Sequence, residues 1–343
     1  MDRKGQRILF VGRFVGFAGG IERYAFAWAK QLAAEGATVD YVGCEPSRNE
    51  DLFRTAFRAV HAGVPETDYD EVVLHKLISE VAVRGLIARF GDRLSFFAHD
   101  HDLYCPRHHY YTPFGRRNCT RAFSAVRCRL CSLVTHPRNW SAALARPSSA
   151  LLGALRSCRA YVISPFMREN LIRNGFAPSR IALAPAFVRA GDHPHPKRPA
   201  DAPLRILFIG QLIAGKGCDL LLEAVRRVKV PWRLAVAGDG KDRPRLEATA
   251  RGLTGGEVRF LGWVADPESL FDDADVLAFP SRWQEPFGLS GAEAVAHGVP
   301  VVAFDVGGVR TWADATCRLV PPGDVDAFAR ALEGVCPRVG EKA

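Results

Sequence analysis

In the stretch QEPFGLSGAEAVAHGVP (284–300), two carboxylates, Glu285 and Glu293, stand with seven residues between them. Glu285 opens a Pro-Phe-Gly turn, and Glu293 lies inside a short helical stretch that Gly298 ends. The backbone N–H groups around Phe287, Gly288 and Leu289 would begin that helix and suit a phosphate. The two glutamates suit hydroxyl groups instead, one beside the turn and one deeper along the helix. A ligand carrying both phosphate and sugar hydroxyls answers to this arrangement, and a sugar nucleotide is such a ligand.

Other stretches carry related chemistry. GQLIAGKGCDLLLEAV (210–225) sets Lys216 between two glycines, just before a helix, where it can meet a diphosphate as a point charge. It is not a P-loop, because no Gly-Lys-Ser/Thr follows four spacer residues. FVGFAGGIERYA (14–25) offers Gly19 and Gly20 between strand and helix, but without the glycine spacing of the dinucleotide fingerprint. Asp100-His101-Asp102 is an Asp-x-Asp after a strand, a metal-binding pattern short enough to arise by chance, as it does again at 324–326. Cys105, Cys119, Cys128 and Cys131 are separated by 13, 8 and 2 residues, a spacing compatible with a tetrahedral structural zinc. His101, His108 or His109 could replace one cysteine; unligated thiols and a redox Cys-x-x-Cys are the alternatives. Cys44, Cys158, Cys218, Cys317 and Cys336 read as scattered core residues.

These residues need a scaffold, and short apolar runs alternating with helix-length segments predict an α/β chain. In the first half, strands are expected at 7–12, 38–43, 71–76, 93–99, 160–164 and 180–186, with a helix over 20–36. The Pro-rich, aperiodic stretch 188–203 reads as a linker. RILFIG (205–210) then nearly repeats RILFVG (7–12), and strands follow at 233–238, 257–262, 275–280 and 299–304. The expected division is a first domain over 1–187 with a Cys-rich insertion over 100–138, the linker, and a second domain over 204–343.

Length and composition agree with two soluble globular domains: 343 residues, 48% hydrophobic and 24% charged. No apolar run approaches the ~18 residues of a spanning helix. The first apolar run stops at Arg13, too early for an export signal, so a reducing cytoplasmic setting is expected for the nine cysteines. The net charge of +9 is uneven. Residues 101–190 hold 14 arginines, no lysine and only Asp102 and Glu169 as acids, so that segment alone carries +12. Either coding bias on a solvated surface or a basic face for an anionic membrane or nucleic acid would produce it.

GQLIAGKG, LAVAGDG, VRFLGWV, DVLAFPSRWQEPFGLSGAEAVAHGVPVVA and Gly307-Gly308 together resemble the donor-binding domain of retaining glycosyltransferases of family 4. GGIERYAFAWAKQLAAEG and VISPFMRENLIRNGF (162–176) resemble that family's N-terminal domain, so the likeness spans nearly the whole chain. It implies the GT-B fold, two Rossmann-like domains facing each other across a cleft. It also implies transfer of a sugar from a nucleotide-sugar donor to an acceptor hydroxyl, with retention, in cell-envelope polysaccharide or lipid-linked glycan synthesis.

On residues, the resemblance implies that Lys216 binds the diphosphate, Glu293 the ribose, and Glu285 with the Phe287–Leu289 backbone the transferred sugar. His99 matches the family's active-site histidine, and Gly19 and Gly20 would approach the phosphate side. Gln211 stands where the family commonly has arginine, so charge stabilisation would rest more on Lys216. No catalytic metal is implied; the cysteine segment resembles an insertion that some members carry. The expected partners are the donor, a glycan or lipid-linked acceptor and an anionic membrane surface, with no nucleic acid. The expected location is the cytoplasm, peripheral on the inner face of the cell membrane. A GT-B sugar-nucleotide epimerase and a non-catalytic nucleotide-sugar-binding protein are the alternatives; a dinucleotide oxidoreductase lacks its fingerprint.

Overall fold

The computed structural model describes residues 3–76, 79–107, 110–112, 117–135, 149–188, 202–264 and 266–335. The chain divides into two compact units, Met1–Phe187 and Val188–Ala343.

The first unit is built on seven parallel strands: β1 (Arg7–Val11), β2 (Thr38–Val42), β3 (Ala59–His61), β4 (Glu71–Leu74), β5 (Leu94–Phe97), β6 (Arg159–Val162) and β7 (Ile181–Leu183). Their order, β3-β2-β1-β4-β5-β6-β7, reverses direction between β1 and β4. Helices α1 (Gly20–Ala34), α2 (Glu80–Phe90), α3 (Ala125–Thr135), α4 (Ser149–Leu155) and α5 (Pro165–Arg173) connect them. The strands are nearly all apolar because both faces are covered. Leu9, Val11, Val72, Leu74, Leu94 and Phe96 belong to a core shared with residues of α2, α4 and α5. On the opposite parity, Phe10 and Phe97 meet Trp28 of α1 in tilted and edge-on ring contacts.

The second unit repeats the plan with six parallel strands: β8 (Leu204–Ile209), β9 (Trp232–Ala237), β10 (Gly256–Gly262), β11 (Val276–Phe279), β12 (Val301–Phe304) and β13 (Arg318–Val320). The order β10-β9-β8-β11-β12-β13 again reverses beside the first strand, between β8 and β11. Helices α6 (Cys218–Val225), α7 (Arg243–Ala250), α8 (Leu289–Ala296) and α9 (Val325–Glu333) complete it. In open parallel sheets a ligand binds beyond the strand C-termini at such a reversal. Both units therefore present one candidate location each. The two Rossmann-like parallel-sheet domains are those of the GT-B fold.

The expected strands are all present; among the strands of the two main sheets, β3 and β13 were not expected. β3 and β13 are three-residue strands at or near sheet edges, with no fully buried run to mark them. The linker at 188–203 falls mostly outside the described residues, as does Cys336. Cys44 is not a core residue: it is exposed, because it follows β2 at the rim of the sheet. Cys158 and Cys218 are buried as expected, and Cys317 is partly so.

Candidate functional site

In the second unit the site begins where β8 ends. A 3-10 turn, Ala214–Lys216, carries Lys216 and closes on Gly217, which has φ of +72°. A Cβ at Gly217 would lie 1.8 Å from the Pro280 carbonyl oxygen, so only glycine lets this turn pack against the end of β11. The chain leaving β11 supplies Ser281, Trp283 and Glu285. Glu285 is 4% exposed, and its Oε1 accepts hydrogen bonds from Lys216 Nζ at 2.7 Å, Ser281 Oγ at 2.5 Å and Trp283 Nε1 at 3.2 Å. Burial alone would raise the Glu285 pKa, but the Lys216 charge and these donors together hold it below the ordinary carboxylate value.

The surrounding chain fixes this arrangement. Arg282 forms a bidentate pair with Asp219 and donates to the Ala214 carbonyl, tying the Lys216 turn to the Glu285 loop. Gly308 N donates to the Glu285 carbonyl at 2.7 Å; at Gly307, φ is +57° and a Cβ would lie 2.2 Å from that carbonyl oxygen. Gly288 caps α8 in the left-handed conformation, and Trp312 Nε1 donates to the Phe287 carbonyl at 2.6 Å. Phe287–Leu289 thus lead directly into the helix N-terminus, and Glu293 sits half-buried within α8. Gln211 is exposed just past β8. Lys216 and Glu285 are brought into contact; Ser281 and Trp283, which no sequence pattern singled out, complete that contact.

In the first unit the corresponding edge holds a second cluster. Strand alternation places His75, just past β4, and His99, just past β5, on one face of the sheet. Their rings meet, with His75 Nδ1 2.9 Å from His99 Nε2. Asp100 and Asp102 both bind Lys76, each through Oδ2 at 2.6 Å from Nζ. The Asp-x-Asp therefore clasps an internal cation. Burial and the charge of Asp100 push the Asp102 carboxyl up to about 7 against the pull of Lys76. Asp100 is held well below the usual range, because Lys76 and hydrogen bonds from Asp102 outweigh its burial. His75, Lys76, Phe97, His99, Asp100 and Asp102 line a small cavity.

Gly19 and Gly20 lie at the start of α1, where Gly19 N donates to the buried Glu22 carboxylate at 2.9 Å. The protein itself thus supplies a carboxylate at this helix end. Tyr24, one turn further on, packs edge-on to His99 with ring centroids 5.3 Å apart. Its Oη donates to the Pro185 carbonyl at 2.9 Å. Parity past the strand ends was the available signal for His75; Glu22 and Lys76 had none beyond charge.

The described part of the cysteine segment packs into the first unit. Leu103, Tyr104, Cys105 and Tyr110 are buried in the first unit's core. His101 stacks on Tyr110 and lies 2.7 Å, through Nδ1, from Tyr104 Oη. This aromatic packing anchors the described part of the segment. Cys131 has a raised thiol pKa through burial, with Cys128 and Cys119 close enough to add to it electrostatically. Among the described residues, no three His, Cys, Asp or Glu side chains gather as a metal site. His108 and His109 lie outside the described residues.

Residues 203–336 match the family described as Glycosyl transferases group 1. That match covers most of the second unit. The chain is similar to D-inositol 3-phosphate glycosyltransferase of Xylanimonas cellulosilytica, 38% identical over 154 residues, covering 42% of this chain and 36% of that protein. It is also similar to phosphatidyl-myo-inositol mannosyltransferase of Mycolicibacterium smegmatis, 36% identical over 153 residues, covering 40% of this chain and 39% of that protein. The matches thus span well under half the length of these two relatives. In structure, the chain is similar to Anabaena HepE in complex with UDP and glucose, with a TM-score of 0.67, 19% identity and coverage of 97% of this chain and 90% of that one. That likeness extends over both units and concerns the fold.

Proposed function

We propose that the chain is a retaining glycosyltransferase of family 4 that moves a sugar from a nucleotide-sugar donor to an acceptor hydroxyl. The observation that carries this reading is the buried Glu285–Lys216 pair at the strand reversal of a Glycosyl transferases group 1 domain. Lys216 and the N–H groups at the start of α8 take up charge on the departing diphosphate, a preorganised electrostatic role. Glu285 and the Phe287–Leu289 backbone hold the transferred sugar, Glu293 the ribose, and His99, by the family resemblance, contacts the donor sugar. The bond from the anomeric carbon to diphosphate oxygen breaks with its electrons leaving on phosphate. The acceptor oxygen bonds the same carbon from the same face, and its hydroxyl proton passes to the departing diphosphate oxygen. A panel of nucleotide sugars, assayed for donor hydrolysis and then transfer, tests the reading; no turnover of any donor would sink it.

The proposal extends to a lipid-linked or cell-envelope glycan acceptor reached at an anionic membrane on the cytoplasmic side. Support comes from α3, which exposes Val126 and Leu130 beside the exposed Arg127 and Arg129, within the segment of +12 charge. Among the described residues no helix is long and apolar enough to cross a membrane. A structural zinc at Cys105, Cys119, Cys128 and Cys131 is a separate proposal. Its support is the ligand spacing.

A further inference from the structure

We infer that His75 is a positioning residue that fixes the protonation of His99: it donates from Nδ1 to His99 Nε2, so His99 stays neutral and carries its proton on Nδ1. For the effect on transfer, this inference rests on the proposed role of His99; for the protonation itself, it does not.

His75 is 1% exposed and sits among rings. Phe10 lies 4.4 Å away by ring centroid, Trp28 5.7 Å, and Phe97 is stacked at 5.9 Å. This follows from register: β4 and β5 pair Leu74 with Phe96, so the next pleat sets His75 opposite Phe97 and brings His99 alongside. The two imidazoles stack at an interplanar angle of 24° and share one hydrogen bond of 2.9 Å. A bond between two ring nitrogens needs one proton, and either ring can supply it only in a particular tautomer.

The far nitrogen decides which. His75 Nε2 is buried without a hydrogen-bond partner among the described residues. A proton placed there would be a stranded buried N–H, rarer and less favourable than a stranded lone pair. The proton of His75 therefore sits on Nδ1, pointing at His99. His99 Nε2 must accept, which leaves its own proton on Nδ1.

Nothing nearby favours a second proton on the pair. Burial drives the His75 pKa down to about 3. Burial first, then His75 and Lys76, lower that of His99 well below its ordinary 6.5, with Asp100 the one opposing charge. A neutral imidazole carrying Nδ1–H can donate to a phosphate or sugar oxygen. It cannot take a proton from an acceptor hydroxyl, because Nδ1 is occupied and Nε2 is engaged by His75. His99 is thereby a fixed donor rather than a general base.

Nitrogen-15 NMR of the full chain tests this, with resonances assigned from His75 and His99 variants. The expected result is a protonated-type Nδ1 and an acceptor-type Nε2 in His99, unchanged from pH 8 to pH 5. His75→Leu should release His99 to populate both tautomers and titrate nearer to about 6.5. His75→Asn, whose amide nitrogen lies where Nδ1 was, should restore the wild-type pattern. With an active donor, His75→Leu should lower kcat about tenfold, the scale of one hydrogen bond, with KM little changed, and His75→Asn should recover it. A His99 protonated on Nε2 in the wild-type protein would overturn the inference, as would a His75→Leu variant with the wild-type tautomer. If His75→Leu does not fold, the wild-type and His75→Asn spectra decide alone. Failure to find any donor would sink the proposed function, and the NMR outcome would still stand.

Discussion

Lys216 and Glu285 are bonded to each other, Nζ to Oε1 at 2.7 Å, with Ser281 and Trp283 donating to the same oxygen. The cation assigned to the diphosphate and the carboxylate assigned to the sugar thus hold each other before any donor arrives. On the proposed function, an arriving diphosphate would meet a lysine already aimed and already partly desolvated. On the proposed function the pair orients Lys216 for the donor.

Lys216→Ala should therefore act mainly on turnover. Removing a positive group from the departing diphosphate is expected to reduce kcat about 100-fold or more, if it matches the loss of one oxyanion-hole donor. It also leaves the buried Glu285 carboxylate without its cation, so the melting temperature should fall as well, and fall less when Glu285→Gln is added. Steady-state kinetics with a fixed donor and a thermal melt check both outcomes. Unchanged turnover would show that Lys216 serves folding alone.

Glu293→Ala should separate from that behaviour. A ribose contact holds ground and transition states alike, so the donor KM should rise while kcat changes little. Glu285→Gln keeps the shape of its side chain but removes the charge, so both constants should worsen. If the two glutamate variants prove kinetically indistinguishable, the division of roles is wrong. The fresh product should keep the donor's anomeric configuration, as read by proton NMR.

Lys76→Met leaves Asp100 and Asp102 facing each other without their cation. Destabilisation of about 2–3 kcal/mol is expected for this partly buried cluster, with partial recovery on adding Asp102→Asn. The pH dependence has a definite sign. The folded pKa of Asp102, about 7, exceeds its ordinary 3.8, so its contribution is full below about pH 4 and is lost as pH rises through 7. Wild-type protein should accordingly lose stability between pH 5 and pH 8 relative to Asp102→Asn. Denaturant midpoints at those two pH values give the comparison, and equal slopes for both proteins would refute it.

Arg127→Glu with Arg129→Glu should weaken sedimentation with anionic vesicles more at low salt than at high salt, while neutral vesicles bind neither protein. Each arginine near such a surface is worth about 1 kcal/mol, screened within a Debye length. Identical wild-type binding to neutral and anionic vesicles would end the membrane proposal.

Elemental analysis should find about one zinc per chain, lost when Cys128 and Cys131 become serine. Metal-free protein whose 100–138 segment resists protease equally well would show that the aromatic packing suffices.

Much of the scaffold is visible in sequence because parallel strands buried on both faces read as continuous apolar runs. RILFV and LRILFI appear at once as β1 and β8. β3 does not, because all three of its residues are only half-buried and carry no such run. The Glu285 and Lys216 positions were legible through their glycines, whose necessity the close approach at Gly217 explains. Ser281 and Trp283 were not, since a loop side chain acquires its partner from tertiary packing rather than from periodicity. The 100–138 segment misled in the other direction: its arginines and cysteines hid Tyr104 and Tyr110, which are both buried in the core.

Tyr24 joins two places that lie far apart along the chain. Its hydroxyl moors the Pro185 carbonyl, its ring tilts against Phe187 at 5.2 Å, and its edge rests on His99. The polypeptide therefore leaves the first unit from a bollard standing beside the histidine pair, not from slack rope. Tyr24→Phe would cut that mooring while leaving the ring in place.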